Sequence, residues 1–491
     1  MRLVLLTPFV AAAGALAQGV DRAAAPPPPP PDLAAAVREL ASHPALAGSR
    51  VGVHVRDLAD GRVLAQHDDD KGFMTASNMK LLASATALLT LGPDFRFVTR
   101  LEAHGPIHDG LLDGDLVLVG AGDPTLGGRH EKDGPRAPLL RMARRLRDEF
   151  GVDEISGNVL GDDDCQPDEV MGEGWSWGYE SADYAAQVSG LCFAENVVRL
   201  TLTARADGQR PALRLEPETG YLTLIDRVVV GGDKTGIDIA RRRGGNQATL
   251  QGRLASGAKH ADAVSVDNPT SFAAHVLSEC LREVGIRVRG VAADKDDLPV
   301  AIAAGRSLCE ESSPLLRDVL RTLNKVSQNL YAEQLVRAAG RAARGTGGMV
   351  EAAATAADVL RELGGDPTGL VMADGSGLTR LDLVQPRQLA DLLAGMWRHP
   401  HREVFVATLP VAGVDGTLGK RMQDGPAHGH VRAKTGFISR VVALSGYVDR
   451  PDPKVPPLVF SILLNNFTCD TQAAKDAVDA LVQELARAAG W

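Results

Sequence analysis

The feature that most constrains the fold is a stretch without any charged residue, from Leu81 to Leu91, which ends at Gly92-Pro93. Glycine followed by proline is a stop signal for a helix. A helix that is apolar on nearly all sides must be buried, so the rest of the chain has to supply a layer on each side of it. The sequence therefore predicts a domain built around this central helix.

Ser77 and Lys80 stand at the start of this helix. Side chains three positions apart share a helix face, so the hydroxyl and the amine can meet. A serine becomes a nucleophile only when a base takes its proton, and a lysine can be that base if burial lowers its pKa from about 10.4. The same spacing recurs at Ser256 and Lys259, but that copy lies among glycine and polar residues and opens no apolar helix.

The N-terminal segment has the pattern of an export signal. Arg2 is followed by a short apolar run that ends near Ala17, which predicts a signal peptide over residues 1–17 and an exported, periplasmic protein. Loose association with the membrane is left open. Residues 18–31 contain the proline run Pro26 to Pro31 and are interpreted as a linker. No later stretch is long and apolar enough to span a membrane, so no transmembrane span is expected in the mature chain.

The composition narrows the class of protein. The net charge is −9 and basic residues are not clustered, so a nucleic-acid partner is not expected. The five cysteines are far apart and show no metal or redox spacing, and their disulfide pairing cannot be deduced. Neither a metal ion nor an organic cofactor is expected, and the sequence does not define an oligomeric state.

The order of predicted elements suggests a domain interrupted by a long insertion. A helix over residues 32–42 and a hairpin over 51–65 precede the buried helix. Short strands dominate from about 96 to 305, and helices return after about 310. Two strands near 441–448 and 458–464 and a closing helix complete a sheet with helices on both faces. The fold class predicted from this order is α+β.

Two further motifs follow Ser77 and Lys80 in the chain. Ser327 and Asn329 stand at the start of a predicted helix, and Lys434-Thr435-Gly436 leads into the C-terminal strands. A rival set, Ser156 with Asn158 and Lys234 with Thr235-Gly236, has the same order. The rival set opens neither a helix nor a central strand pair, so the later set is preferred.

Together the three motifs resemble those of penicillin-binding proteins and class A β-lactamases. Across nearly all of the mature chain the sequence is similar to the class C low-molecular-mass penicillin-binding proteins, which are D-alanyl-D-alanine carboxypeptidases and endopeptidases. The resemblance implies a penicillin-binding, serine β-lactamase-like domain of antiparallel sheet flanked by helices, with two β-rich inserted domains. The corresponding division is 32–95 and 306–491 for the catalytic domain, 96–165 and 262–305 for inserted domain II, and 166–261 for inserted domain III.

The resemblance also implies a role for each motif residue. Ser77 would form an acyl-enzyme, Lys80 would be the base that activates it, and Ser327 would pass the proton to the leaving amine. The oxyanion hole would be formed by the backbone N–H groups of Ser77 and Phe437, and Lys434 would help to keep Lys80 neutral. The substrate would be bound by Asn329, Lys434, Thr435 and Gly436.

The partners implied are peptidoglycan peptides and, as covalent inhibitors, β-lactams. Phe437 stands where the family usually has a small hydroxyl residue, so its ring is expected to narrow the cleft or to alter substrate choice. Two alternatives stay open: a non-catalytic cell-wall-binding protein that retains the fold, and a related hydrolase such as a β-lactamase or a D-aminopeptidase. The balance of carboxypeptidase and endopeptidase activity and the preferred stem peptide are also left open.

Overall fold

The computed structural model describes residues 32–298 and 305–491. The predicted signal peptide and the proline-rich linker lie outside the described residues. Within the described ranges, no helix combines the length and the apolar character that crossing a bilayer requires.

Helices and strands alternate in blocks along the chain. The α-helices are α1 (Leu33–Ala41), α2 (Met79–Leu91), α3 (Ala137–Asp148), α4 (Pro269–Glu283), α5 (Leu316–Lys325), α6 (Asn329–Arg344), α7 (Met349–Glu362), α8 (Pro386–Arg398), α9 (Arg402–Thr408) and α10 (Thr471–Ala489). The strands are β1 (Arg50–Asp57), β2 (Val63–His67), β3 (Val98–His104), β4 (Ile107–His108), β5 (Leu111–Leu112), β6 (Asp115–Val119), β7 (Glu154–Ile155), β8 (Val159–Asp162), β9 (Val197–Thr203), β10 (Ala212–Glu216), β11 (Thr223–Val230), β12 (Gly236–Arg241), β13 (Gln247–Leu254), β14 (Lys259–Ser265), β15 (Arg287–Val288), β16 (Ala292–Asp294), β17 (Arg306–Ser312), β18 (Val431–Ile438), β19 (Val441–Val448) and β20 (Leu458–Asn465).

The central sheet joins both ends of the chain. Its order is β18-β19-β20-β1-β2, and every neighbouring pair is antiparallel. Strands β19 and β20 are buried along their whole length, because helices cover both faces. Helices α1 and α10 pack on one face, whereas α2 belongs to the hydrophobic core on the other face. The predicted sheet with helices on both faces is confirmed.

Helix α2 is buried because its sequence is apolar on all sides. All its residues from Met79 to Leu88 are buried, and it packs against α5, α6, α7 and α8. The helix ends at Gly92, whose φ of 82° is incompatible with a continuing α-helix. The buried position of α2 fixes Lys80, which belongs to the helix, and Ser77, which lies in the turn just before it.

Of the five sheets in the described residues, four lie in the insertion between α2 and α5. Two of them, β15-β7-β5-β4 and β16-β8-β6-β3-β17, pack with α3 and α4. The other two, β10-β9-β14 and β11-β13-β12, follow the chain between residues 197 and 265. The prediction of short strands missed α3 and α4, whose amphipathic sequences bury one face against these sheets.

Strand pairing moves two predicted boundaries within this insertion. The boundary at 261/262 cuts through β14, which pairs with β9 along its length. The boundary at 305/306 places β17 in the catalytic domain, although β17 pairs with β3 of the insertion. A strand belongs with the sheet that satisfies its backbone hydrogen bonds, so these boundaries lie after Ser265 and after Ser312. The division into two inserted domains itself stays a prediction.

Candidate active site

Ser77 sits in a tight turn that precedes α2. Residues Ala76–Asn78 form a single 3₁₀ turn, and Ala76 has a φ of 44°, a left-handed conformation that costs a non-glycine residue energy. The Asn78 side chain donates to the carbonyl oxygen of Lys434 at 2.9 Å. This bond ties the nucleophile turn to strand β18.

Two glycines allow other segments to approach this turn. A Cβ atom at Gly377 would lie 1.8 Å from the carbonyl oxygen of Ala76, and one at Gly436 would lie 2.7 Å from that of Thr75. Gly377 also has a φ of 78°, which favours glycine. The backbone around Ser77 is therefore held between two segments that are distant in sequence.

The Lys80 amine has three hydrogen-bonding neighbours. Its Nζ lies 2.9 Å from Ser77 Oγ, 2.6 Å from Asn329 Oδ1 and 2.6 Å from the carbonyl oxygen of Ser376. The last two atoms only accept. A neutral amine has two N–H groups and one lone pair, so the two N–H groups are taken by Asn329 and Ser376. The lone pair is then left for the Ser77 hydroxyl.

Burial favours this neutral form. Lys80 is fully buried, and desolvation lowers its pKa from 10.5 to about 7. The charges of Asp374, Glu333 and Asp382 act in the opposite direction, but their effect is smaller than that of burial. A base that titrates near neutral pH is well matched to proton abstraction at that pH.

The same three buried carboxyl groups hold the loop that supplies the Ser376 carbonyl. Glu333 accepts the backbone N–H groups of Gly375 and Ser376 at 3.0 and 2.9 Å and is paired with Arg337 at 2.7 Å. Asp374 accepts the N–H groups of Gly377 and Thr379. Burial raises the pKa of Asp382 well above its usual value, with a further contribution from Asp374. The loop is therefore fixed by interactions on its own backbone.

Ser327 and Lys434 form a second pair of hydroxyl and amine. Lys434 Nζ lies 2.9 Å from Ser327 Oγ and donates to the carbonyl oxygen of Thr435 at 2.9 Å. Ser327 has a φ of 61°, another left-handed residue at the site. Gln328 caps the following helix by accepting the N–H of Tyr331 at 3.3 Å.

The pKa of Lys434 is also lowered, well below 10.5. Burial is the larger cause and repulsion from Lys80 the smaller. Burial is thus the main cause for both amines, and the repulsion between Lys80 and Lys434 disfavours charging both at once. The expectation that Lys434 helps to keep Lys80 neutral stays a prediction. Within the described ranges, no carboxylate forms an ion pair with Lys434.

The remaining predicted residues lie around these pairs. Both ends of the Asn329 side-chain amide form hydrogen bonds. Oδ1 accepts from Lys80 Nζ, and Nδ2 donates to the carbonyl oxygen of Tyr184 at 2.6 Å. Thr435 Oγ1 donates to Thr417 Oγ1 at 2.7 Å, and Thr417 lies in the loop that Asp415 anchors to Lys325.

A cavity of about 350 Å³ opens in front of Ser77. Its lining includes Ser77, Ser327, Asn329 and Phe437, together with Tyr179 and Tyr184 from the insertion. The Phe437 ring is 50% exposed, and the Lys475 ammonium lies 4.9 Å from its centroid. Phe437 thus forms part of the cavity wall, and the cavity stays open beside it.

The rival motifs lie elsewhere. Ser156 bonds to Asp113 at 2.9 Å in a turn of the insertion, and Ser256 bonds to Asp207 at 2.7 Å. Lys234 is exposed in a turn before β12. None of these residues lines the cavity.

Sequence reasoning missed three contributors to the site. They are the carbonyl oxygen of Ser376, which holds Lys80, and the two tyrosines of the insertion, Tyr179 and Tyr184. A backbone carbonyl leaves no trace in a side-chain motif. The glycines on either side of Ser376 were the available signal, since they indicate a close backbone approach.

An antiparallel sheet flanked by helices, with a serine–lysine pair at the start of a buried helix, defines the class of penicillin-binding serine peptidases. The sequence model of the D-Ala-D-Ala carboxypeptidase 3 (S13) family matches residues 33–488. The chain therefore belongs to this family. The predicted family, fold class and class of enzyme, a serine-type D-alanyl-D-alanine carboxypeptidase, are confirmed.

Individual relatives agree over most of the chain. A D-alanyl-D-alanine carboxypeptidase of Actinomadura sp. is 35% identical over 468 residues, which is 91% of this chain and 83% of the relative. The carboxypeptidase DacB of Haemophilus influenzae is 26% identical, with 89% of each chain covered. The crystal structure of penicillin-binding protein 4 from Haemophilus influenzae has a TM-score of 0.78 at 23% identity and covers 92% of this chain and 98% of that one.

Proposed function

We propose that the protein cleaves the bond between two D-alanines through an acyl-enzyme on Ser77. The observation that carries this proposal is the set of contacts of Lys80. Asn329 Oδ1 and the Ser376 carbonyl oxygen accept its two N–H groups, and burial lowers its pKa to about 7. The lone pair of the neutral amine then faces Ser77 Oγ, which lies 2.9 Å from Nζ.

The first step is attack by Ser77. Lys80 takes the hydroxyl proton while Oγ forms a bond to the carbonyl carbon. The negative charge then moves to the carbonyl oxygen, and the backbone N–H groups of Ser77 and Phe437 are the proposed donors to it. A donor of this kind contributes about 3–4 kcal/mol to lowering the barrier.

The second step is departure of the terminal D-alanine. Ser327 lies beside Lys434 at 2.9 Å and lines the same cavity as Ser77, which suits it to relay a proton. Ser327 gives its hydroxyl proton to the leaving nitrogen as the C–N bond breaks, and it receives in return the proton that Lys80 took from Ser77, so Lys80 is neutral again. Water then attacks the ester carbon while Lys80 takes a proton from the water, and that proton passes to Ser77 Oγ as the ester bond breaks.

The terminal carboxylate of the substrate is proposed to bind Lys434 and Thr435. Lys434 is buried without a carboxylate partner among the described residues, so a substrate carboxylate would supply its counter-ion. Gly436 brings strand β18 close to the nucleophile turn, and Asn329 keeps Lys80 in place. Because both ends of the Asn329 amide are engaged, its predicted contact with the peptide would require release from Tyr184.

Labelling with a fluorescent penicillin tests the nucleophile. We expect covalent labelling of the wild-type protein, the label on the peptide that contains Ser77, and no labelling of Ser77→Ala. Ser84→Ala is a matched control, because Ser84 is a buried serine on the same helix that bonds to the carbonyl oxygen of Lys80. Persistent labelling of Ser77→Ala would refute the proposed nucleophile.

The products of intact cross-linked muropeptides test the substrate. Release of D-alanine from stem peptides would establish carboxypeptidase activity, and conversion of dimers to monomers would establish endopeptidase activity. Acylation without either product would favour a non-catalytic cell-wall-binding protein. Rapid turnover of penicillin would favour a β-lactamase. Release of an N-terminal D-residue would favour a D-aminopeptidase.

Inhibition by β-lactams and location in the periplasm also belong to this proposal. Penicillin-binding protein 4 of Haemophilus influenzae has been crystallised with a β-lactam, which supports β-lactams as inhibitors here. Export to the periplasm rests on the pattern of residues 1–17. Cell fractionation with an antibody against the protein would test it, and recovery in the cytoplasmic fraction would contradict it.

A further inference from the structure

A group of carboxylates outside the catalytic cleft is arranged around one point. Asp163 follows β8, Asp168 lies in the next loop, and Asp296 lies in a short 3₁₀ turn after β16. One oxygen from each of these three residues lies within 4.8 Å of the others. Asp163 is buried, with 7% exposure, whereas Asp168 and Asp296 are exposed.

Asp163 has an oxygen without a partner. Its Oδ2 accepts the hydroxyl groups of Ser189 at 3.0 Å and of Thr270 at 2.6 Å. Its Oδ1 is buried and has no hydrogen-bond partner. A buried carboxylate oxygen without a donor costs free energy, and a bound cation is one of the few groups that can satisfy it.

The neighbouring cation, Lys295, forms its ion pairs with other carboxylates. Lys295 is bonded to Asp162 at 3.1 Å and also to Asp164. Within residues 32–298 and 305–491, Asp163, Asp168 and Asp296 form no ion pair with a lysine or an arginine. Three carboxylates are thus brought together, while the one adjacent ammonium is shared by two others.

We propose that Asp163, Asp168 and Asp296 bind a divalent cation of the calcium type. Ca²⁺ takes only oxygen ligands, at about 2.3–2.6 Å. Two ligands of one such ion are therefore at most about 4.6–5.2 Å apart, and the three carboxylate oxygens meet this limit. No histidine or cysteine belongs to the group, which argues against zinc.

The position of the site gives it a structural role. Asp163 and Asp168 bracket the start of the segment that carries Tyr179 and Tyr184 to the cavity in front of Ser77. Asp296 comes from a turn more than a hundred positions later in the chain. A shared ion would join the loop of Asp163 and Asp168 to the turn of Asp296 and so hold the start of that segment. The ion would take no part in the proposed peptidase reaction.

Thermal unfolding of the full-length protein, first treated with a chelator, tests the proposal. We expect about 10 mM CaCl₂ to raise Tm by about 2–4 °C, and MgCl₂ to raise it less, at matched ionic strength. Isothermal titration should give one Ca²⁺ per chain. In Asp168→Asn/Asp296→Asn the shift and the titration signal should both disappear.

A control variant separates a site from general charge effects. Asp148→Asn/Asp233→Asn removes the same charge at two exposed positions outside the group and should respond to Ca²⁺ as the wild type does. No Ca²⁺ binding by the wild-type protein overturns the proposal, and so does an equal shift in all three proteins. Circular dichroism verifies that each variant is folded, and the wild-type titration decides the matter if one is not.

Discussion

Lys434 Nζ lies 2.9 Å from Ser327 Oγ, and this contact joins an outer strand of the central sheet to the start of α6 across 107 positions of the chain. The Asn78 side chain binds the carbonyl oxygen of the same lysine. One residue of β18 therefore touches both the segment that carries Ser77 and the segment that carries Ser327. The three motifs therefore meet at a single site, since Lys80 also contacts Asn329 directly at 2.6 Å.

The first prediction concerns the hydroxyl group of that contact. In Ser327→Ala the Lys434 amine loses a partner and the proposed proton path to the leaving group is removed. We expect acylation by a D-Ala-D-Ala peptide to slow by roughly 10²–10⁴-fold, the usual contribution of a positioned proton-transfer group. Rapid-quench measurement of acyl-enzyme formation checks this result. Ser439→Ala, at another serine of the cavity lining, should stay within a few-fold of wild type. Equal rates in both variants would contradict the role of Ser327.

The second prediction concerns pH. Burial lowers the pKa of Lys80 to about 7, so the neutral fraction of the amine grows as the pH rises through 7. The acylation rate should therefore increase from pH 5.5 to 8.5 with a midpoint near 7 and then level off. Stopped-flow measurement with a chromogenic β-lactam follows this dependence. Lys80→Arg keeps a cation that cannot act as a base and should abolish the rising limb together with the activity. A flat profile in the wild-type protein would exclude Lys80 as the base.

The third prediction concerns proton uptake. Lys434 has a pKa well below 10.5 and no carboxylate partner within the described ranges, so a ligand carboxylate should raise that pKa. In the pH range between the pKa of the free protein and that of the complex, binding should then be accompanied by uptake of a proton. Calorimetry of Ser77→Ala with a D-Ala-D-Ala peptide, in buffers that differ in ionisation enthalpy, measures this uptake. The same peptide with a C-terminal amide should bind more weakly and without proton uptake. Equal uptake with both ligands would show that the carboxylate does not act on Lys434.

The proximity of the motif residues could be predicted because side chains at a fixed spacing meet. Ser77 and Lys80 were expected to meet on a helix face, and their side chains do lie 2.9 Å apart, although Ser77 belongs to the turn before α2. The apolar residues after Lys80 predicted the burial that lowers its pKa. The strands and terminal helices of the central sheet followed in the same way from alternation and helical periodicity.

Other parts depended on contacts that no local pattern encodes. The Ser376 carbonyl reaches Lys80 because Glu333, on a different helix, binds the backbone of that loop. Tyr184 reaches Asn329 from the insertion, 145 positions away. The domain boundaries predicted at 261/262 and 305/306 separate β14 and β17 from their partner strands, because strand membership is decided by pairing. Helices α3 and α4 were missed because short strands dominate the surrounding sequence.

The fourth prediction concerns the close approach at the nucleophile turn. In Gly377→Ala the new Cβ would lie 1.8 Å from the carbonyl oxygen of Ala76, at a φ that already disfavours alanine. We expect a loss of more than about 3 kcal/mol in the free energy of unfolding and loss of labelling by penicillin. Gly257→Ala is the matched control, because its φ is 70° but open space surrounds it. That variant should lose only about 1–2 kcal/mol, the cost of the left-handed backbone alone. Urea unfolding compares the two, and equal losses would rule out the steric cause.

The last prediction concerns the bond between the insertion and the catalytic loop. Trp175 is buried and its Nε1 donates to Asp374 Oδ2 at 2.8 Å, and Asp374 in turn holds the loop that contains Ser376. Trp175→Phe keeps most of the apolar contact but leaves the carboxylate with one donor fewer. A hydrogen bond to a charged group contributes about 1.5–3 kcal/mol, so we expect the free energy of unfolding to fall by that amount. Acylation should also slow, because the Ser376 carbonyl would hold Lys80 less firmly. Trp177→Phe provides the control, since Trp177 is 73% exposed and its ring stacks with Arg243 on the surface. Urea unfolding and acylation kinetics should separate the two variants, and unchanged acylation in Trp175→Phe would show that the insertion does not position the catalytic lysine.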